Sequence, residues 1–364
     1  GQQARRQDIH GKIQQPGAAG HLIRIMGRYR VRRCYGKMTH EGSLRLFALD
    51  GVAGLGRKVA ESLGVTPAEH EMRLFEDGEY KVRPLDHVDG CDVYLLDSLR
   101  GTGGESVHDR LFRLLVLAGA VRDGGAARIT IVAPYLCYAR KDRRTKLHDP
   151  LTLRYVATLF EAVGTDVMMV LDVHNPAAFE NAFRCRTVPL TAAGLFAPLV
   201  RSVAGQALCV VSPDPGGVKR AELFRQRLEA LCGQPVAKGF VDKRRSAGVL
   251  TGDLFAGDAK GATALIIDDL ISTGHTMVRA AEAVRKAGAH HVTALASHGL
   301  FNLAALSVLA DPAIDRLMVT DSVLLPPLPD ALRAKTEVVS CAGLIAEAIR
   351  RLDTRSCLQE LLAL

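Results

Sequence analysis

Residues 264–284 read "ALIIDDLISTGHTMVRAAEAV". Four apolar residues run straight into Asp268 and Asp269, a short polar loop follows, and an amphipathic stretch completes the unit. A buried strand, a turn at its carboxyl end and a helix would give that order. The apolar half of the pattern recurs along the chain, at 44–49, 92–97, 128–134, 166–172, 207–213, 264–269, 291–297 and 316–321. Short, nearly continuous apolar runs are what strands need when helices cover both faces of their sheet. Runs with helical spacing lie between them: 106–121, 150–164, which opens with Pro150 and closes with Gly164, and 277–289. Strands alternating with helices predict an α/β fold with mainly parallel sheets. Two sheets are expected rather than one barrel. The polar loops fall into two sets, one in each half, and residues 186–192 read as a hinge between them.

The chain has 364 residues, of which 48% are hydrophobic and 24% charged, a length that suits two domains. No apolar run reaches the roughly 18 residues of a membrane span, and no apolar signal segment opens the sequence. Eight cysteines are scattered singly with no CxxC pair. That usage argues against a zinc site and for a reduced, cytoplasmic protein. Residues 1–40 hold nine Lys and Arg and one acid, which accounts for the whole formal charge of +8. The folded body is therefore neutral. Residues 1–40 are expected to be a basic, disordered extension, and binding to nucleic acid is not expected of the rest.

The loop after Asp269 has the makings of an anion site. A helix N-terminus offers free N–H groups and the positive end of its dipole. Ser272, Thr273 and Thr276 add hydroxyls, and Gly274 lets the backbone approach a ligand with no Cβ in the way. Two carboxylates beside such a cradle would repel a phosphate held alone. They make sense if they hold sugar hydroxyls, or a divalent cation, next to it. An ordinary capped helix would explain the loop but not the acidic pair.

This run resembles the phosphoribosyl pyrophosphate motif shared by phosphoribosyltransferases and ribose-phosphate pyrophosphokinases. Other segments separate the two groups. "RLFEDGEYKVRP" (73–84) and "APYLCYARKDRR" (133–144) resemble the ATP-holding segments of the pyrophosphokinases. "LDVHNPAAFENAF" (171–183) and "VSPDPGGVKRA" (211–221) resemble their two metal segments, and "VDKRR" (241–245) the start of their catalytic flexible loop. "AGLIAEAIRRL" (342–352) is similar to their last helix.

The resemblance implies two phosphoribosyltransferase-type domains, at 44–187 and 188–355, each a mainly parallel sheet flanked by helices. It implies transfer of the pyrophosphoryl group of Mg-ATP to the 1-hydroxyl of ribose 5-phosphate, with AMP as the other product. Lys243 and Arg245 carry over as catalytic cations, with Gly248 and Gly252 giving their loop freedom to move. Phe75, Asp77, Gly78, Glu79, Arg140, Lys141 and His174 carry over to ATP. Asp268, Asp269, Ser272, Thr273, Gly274, His275 and Thr276 carry over to ribose 5-phosphate, and His174 and Asp214 to Mg²⁺. The family's ATP segment can come from a neighbouring subunit, so a homo-oligomer, dimer or hexamer, is expected with ATP near the interface.

The chain departs from the family at several of these positions. Lys141 stands where Gln is common, Ser272 replaces an acid, and His275 replaces a Gly and has no evident role. Asp89 stands where phosphate-activated members carry Arg, which implies weak activation by phosphate and weak ADP control. Two other readings share some of these features. A non-catalytic relative would be expected to lose the cations or the metal positions, and a phosphoribosyltransferase would leave the ATP-like segments without a role.

Overall fold

The computed structural model describes residues 43–101, 104–200, 207–246 and 249–362, and gives the backbone alone for 243–246 and 249–253. The expected basic extension at 1–40 lies outside the described residues. The first half of the chain runs β1 (Leu44–Ala48), α1 (Ala53–Leu63), a hairpin of β2 (His70–Leu74) and β3 (Tyr80–Pro84), β4 (Asp92–Leu96) and α2 (Val107–Asp123). It continues through β5 (Arg128–Ala133), α3 (Thr152–Ala162), β6 (Val167–Leu171), α4 (Pro176–Ala182) and β7 (Arg186–Leu190). Five of these strands form one sheet in the order β1-β4-β5-β6-β7, parallel throughout.

The second half runs α5 (Ala193–Val200), β8 (Leu208–Ser212), α6 (Val218–Cys232), β9 (Ala237–Ser246), β10 (Val249–Gly257), β11 (Thr263–Ile271) and α7 (His275–Lys286). It ends with β12 (His291–Gly299), α8 (Leu303–Val308), β13 (Arg316–Thr320), α9 (Asp330–Lys335), β14 (Thr336–Val339) and α10 (Ala342–Asp353). Its sheet has the order β10-β9-β8-β11-β12-β13-β14, parallel except for the antiparallel β9–β10 pair.

All eight apolar runs are strands. β4, β6 and β8 are buried at every residue, as expected of strands covered on both faces. α2 starts with a capping box, in which the Ser106 hydroxyl accepts from Asp109 N (3.1 Å) and Ser106 N donates to the Asp109 carboxylate (2.8 Å). α3 begins at Thr152, two residues after Pro150, and Gly164 closes it with φ +89°.

The hinge expected at 186–192 is instead mostly an edge strand. β7 buries Val188, Pro189 and Leu190 and straddles the expected boundary at 187/188. Pro189 lacks an N–H, which a strand at the sheet edge tolerates. The polar segment at 242–252, expected as a loop, is the β9–β10 hairpin, in which Lys243 pairs with Asp253 and Arg245 with Leu250.

One apolar core joins the two halves. Leu46 and Tyr94 of the first sheet, Val210, Leu265 and Leu295 of the second, and Ile345 and Ile349 of α10 belong to it. Polar contacts reinforce the junction close to the strand ends. His298 at the end of β12 donates from Nε2 to the Leu171 carbonyl (2.9 Å), and the Ser297 hydroxyl donates to Asp172. Arg100 donates to the carbonyls of Leu300 and Leu324. The carboxyl ends of β6 and β12 are thereby held against each other.

Candidate active site

β11 outruns its neighbour. It pairs with β8 only from Thr263 to Ile266 but with β12 as far as Ile271. The end of β11 is therefore open on the β8 side, and that notch receives the turn after β8 and the start of α6. Asp268 and Asp269 sit at the notch, Asp268 half-buried and Asp269 3% exposed.

Three elements converge there. From the first half, His174 follows β6 through Asp172, whose φ of +37° is unusual for a residue with a side chain. Asp172 is fixed by Ala192 N, which donates to its carboxylate at 2.9 Å, and by the Ser297 hydroxyl. His174 Nδ1 lies 2.9 Å from Asp269 Oδ2. From α6, Arg220 Nη1 lies 3.1 Å from Asp268 Oδ1 and 3.3 Å from Asp269 Oδ1, while Nη2 donates to the His174 carbonyl at 3.4 Å. From β11 itself, Asp269 N donates to Asp268 Oδ1 at 2.8 Å.

The charges settle accordingly. The hydrogen bond to Asp269 raises the His174 imidazole above its usual pKa, against the opposing pull of burial. Burial alone would raise the Asp269 carboxyl, but the His174 hydrogen bond and the Arg220 charge outweigh it and hold Asp269 well below the carboxylate range. Burial, and then the neighbouring charge of Asp269, push Asp268 up. Asp269 is thus the firmly ionised member of the pair, with both oxygens engaged by protein.

The polar loop behaves as an open helix start. Gly274 adopts φ +80° and ψ −21° as the residue before α7, and no side chain caps that helix. The loop is held from behind, since Asn302 N donates to the Ser272 carbonyl at 3.0 Å and Leu300 N to the Ile271 carbonyl at 2.9 Å. His275 is the first residue of α7, two positions earlier than the sequence suggested, with an exposed side chain. Ser272 and Thr276 are half-buried and Thr273 is exposed.

Beside the notch opens a cavity of about 680 Å³, lined by His174, Asn175, Asp142, Arg143, Asp214, Lys219, Arg220 and Asp242 among others. Asp214 is half-buried, and its Oδ1 accepts from Gly217 N at 3.1 Å, which shapes the turn into α6. Arg140 and Lys141 are exposed on the loop after β5. Arg140 lines a water-sized gap of about 10 Å³ with Tyr135, His174, Asp269 and His298. Lys243 and Arg245 lie on β9; their side chains, and Gly248 altogether, lie outside what the structure describes, while Gly252 is on β10.

Phe75, Asp77, Gly78 and Glu79 form the turn between β2 and β3. Asp77 Oδ1 accepts from Glu79 N (3.1 Å), and Arg73 stacks over the Phe75 ring at 5.0 Å. None of the four lines the cavity that holds His174 and Asp214. Gly78 and Glu79 line a separate groove of about 690 Å³ with Tyr80, His108, Phe112 and Leu159.

Arg220 is the residue that sequence reasoning missed. It lies inside the segment 211–221, but its pairing with Asp268 and Asp269 joins residues far apart in the sequence. Asp172 and His298 escape sequence reasoning because their partners come from a distant strand, and Asn175 because its partner Asp142 lies on the loop after β5.

Residues 44–164 match the family described as the N-terminal domain of ribose phosphate pyrophosphokinase. Residues 189–300 match the phosphoribosyl transferase domain, and 253–363 the phosphoribosyl synthetase-associated domain. The chain is 34% identical to ribose-phosphate pyrophosphokinase 1 of Streptococcus pyogenes, over 87% of this chain and 97% of that protein. It is 35% identical to the ribose-phosphate pyrophosphokinase of Caldanaerobacter subterraneus, over 86% and 96%. The crystal structure of phosphoribosylpyrophosphate synthetase from Mycobacterium smegmatis superposes with a TM-score of 0.76 at 30% identity, covering 86% of this chain and all of that one.

Proposed function

Because the chain belongs to the ribose-phosphate pyrophosphokinase family, we propose that it transfers the pyrophosphoryl group of ATP to the 1-hydroxyl of ribose 5-phosphate, giving 5-phosphoribosyl 1-pyrophosphate and AMP. In that reaction the sugar's 1-oxygen bonds to the β-phosphorus, the bond from the β-phosphorus to the α-phosphate oxygen breaks, and the hydroxyl proton is released. The observation that carries the reading is the convergence of His174, Arg220, Asp268 and Asp269 beside an uncapped helix start and a cavity of about 680 Å³.

In this reading the 5-phosphate rests on the N–H groups of α7, with Ser272, Thr273 and Thr276 donating from their hydroxyls and His275 at its margin. Asp268 accepts from the ribose hydroxyls. Asp269 acts one step back, by orienting His174. Arg140, Lys141 and Arg143 bring positive charge to the triphosphate, and Lys243 and Arg245 add charge where the transferring group develops it. Catalysis of this kind rests on positioning and neutralised charge more than on a covalent nucleophile.

The donor set suits Mg²⁺. His174 and Asp214 face one cavity, and the described residues contain no cluster of three or more His, Cys, Asp or Glu able to hold a metal. A cation that keeps several waters and takes phosphate oxygens needs few protein ligands. The carboxylate of Asp269 on Nδ1 leaves His174 Nε2 for the ligand side, as in many metal-linked histidines. When bound, the cation would neutralise the polyphosphate oxygens.

We place the division between the two domains after Leu190, the last residue of β7. The separation of the Phe75-to-Glu79 turn from the His174 cavity supports a homo-oligomer in which this turn serves a neighbouring subunit's ATP. Exposed Phe112 and Leu159 supply apolar surface near it. With ATP and ribose 5-phosphate as substrates, a cytoplasmic location belongs to the same proposal. A phosphoribosyltransferase reading would leave the matched segment 44–164 without a task.

Incubation with Mg-ATP and ribose 5-phosphate tests the reading. AMP and 5-phosphoribosyl 1-pyrophosphate are expected in equal amounts, and ATP loss without the sugar product would refute it.

A further inference from the structure

The loop at 140–149 carries Arg140, Lys141 and Arg143, and most of it is exposed. Several of its hydrogen bonds close within the loop or onto the adjoining chain. Asp149 accepts from Thr145 and Lys146, Lys141 N donates to the Tyr138 carbonyl, and Leu153 N donates to the Lys141 carbonyl. One side-chain bond crosses to the wall that bears His174. Asn175 Nδ2 donates to Asp142 Oδ2 at 2.8 Å. The other end of the same amide is also engaged, since Asn175 Oδ1 accepts from Ala178 N at 3.2 Å and caps α4.

A donor facing a carboxylate and an acceptor facing an N–H leave the carboxamide one orientation, and neither Asp nor Ser could do both jobs. Asp142, Arg143, His174 and Asn175 all line the large cavity. We propose that Asn175 is a positioning residue for ATP: it ties the basic loop to the strand end that carries His174, so that the loop's cations are in place before the triphosphate arrives. The proposal rests on the reading that this loop meets ATP. An untethered loop would have to be ordered during binding, and that cost would appear as lost affinity for the nucleotide and not for the sugar.

The test measures binding of Mg·α,β-methylene-ATP and of ribose 5-phosphate by calorimetry, with melting temperature alongside. Asn175→Ser keeps an N-cap acceptor and the net charge but cannot reach Asp142. It should weaken binding of the ATP analogue about three- to tenfold, the range expected for loss of one charge-assisted bond at a partly exposed site. Its affinity for ribose 5-phosphate and its melting temperature should stay near the wild-type values. Asn175→Asp should weaken binding further, since two carboxylates then face each other. The pair Asn175→Asp with Asp142→Asn exchanges donor and acceptor at unchanged net charge and should return to within about twofold of wild type. A Ser variant within about twofold of wild type, or a double variant no better than Asn175→Asp alone, overturns the proposal. Failure of the wild-type protein to bind the analogue at all would instead overturn the ATP reading beneath it.

Discussion

Arg220 offers the sharpest perturbation of the site. Its guanidinium serves three acceptors, Asp268 at 3.1 Å, Asp269 at 3.3 Å and the His174 carbonyl at 3.4 Å, and its side chain is 20% exposed. Arg220→Gln keeps most of the length and removes the charge. Breaking a fully buried ion pair by deleting one partner costs about 3–5 kcal/mol. Here residual solvent access and the surviving His174–Asp269 contact reduce that to about 2 kcal/mol, which corresponds to about a 30-fold change. Without Arg220, Asp268 ionises less readily and the His174 main chain loses its hold on α6. The expected outcome is a fall of about 30-fold in kcat/KM for ribose 5-phosphate. Arg220→Lys keeps the charge but not the fork, and should recover only part of that loss. The assay is initial-rate formation of AMP with ribose 5-phosphate varied at saturating Mg-ATP. A kcat/KM for Arg220→Gln within about threefold of wild type would refute the idea that this arginine organises the acidic pair.

Four further expectations follow from single features. Gly274→Ala should raise KM for ribose 5-phosphate severalfold and leave KM for ATP near its original value, because φ +80° and a Cβ 2.8 Å from buried Leu309 together cost about 1–2 kcal/mol at the phosphate cradle; unchanged sugar kinetics would count against the cradle. Lys243→Ala should lower kcat about 100-fold if this cation stabilises the transferring group, as removal of an oxyanion donor does, and near-normal turnover would remove it from that role. Burial raises the Asp97 carboxyl to about 7 from 3.8, so the folded state holds that proton more tightly than the unfolded chain does. Stability from this group is therefore present below about pH 4 and lost as pH rises through about 7, by up to about 4 kcal/mol. Asp97→Asn should flatten that slope in denaturant titrations at pH 5 and pH 8, and an unchanged slope would contradict it. Inorganic phosphate titrated at saturating Mg-ATP should activate little, since Asp89 offers no cation to hold it; strong activation would contradict that expectation.

The parallel strands and the uncapped start of α7 were legible because their signals are local. An apolar run of five or six residues announces a strand buried on both faces, and ISTGHT after it announces a turn into a helix. β7 was not legible as a strand, because Pro189 speaks for a break unless one knows that it lies at an edge. The β9–β10 hairpin was hidden by its charges, which suit a solvated loop equally well. Within the site, the sequence pointed to His174, Asp214, Asp268 and Asp269 separately. It could not show that Asp269 turns inward to His174 or that Arg220 spans the pair, because those contacts join residues 95 and 48 positions apart. His275, which had no evident role as a ligand, is the exposed first residue of α7.

The central claim concerns which bond of ATP is broken, and isotope position reads it directly. With ribose 5-phosphate, Mg²⁺ and ATP labelled in the α-phosphate, the label should remain in AMP. With ATP labelled in the γ-phosphate, the label should appear in the sugar pyrophosphate and not as free phosphate. Release of γ-label as inorganic phosphate, or transfer of α-label to the sugar, would contradict the account.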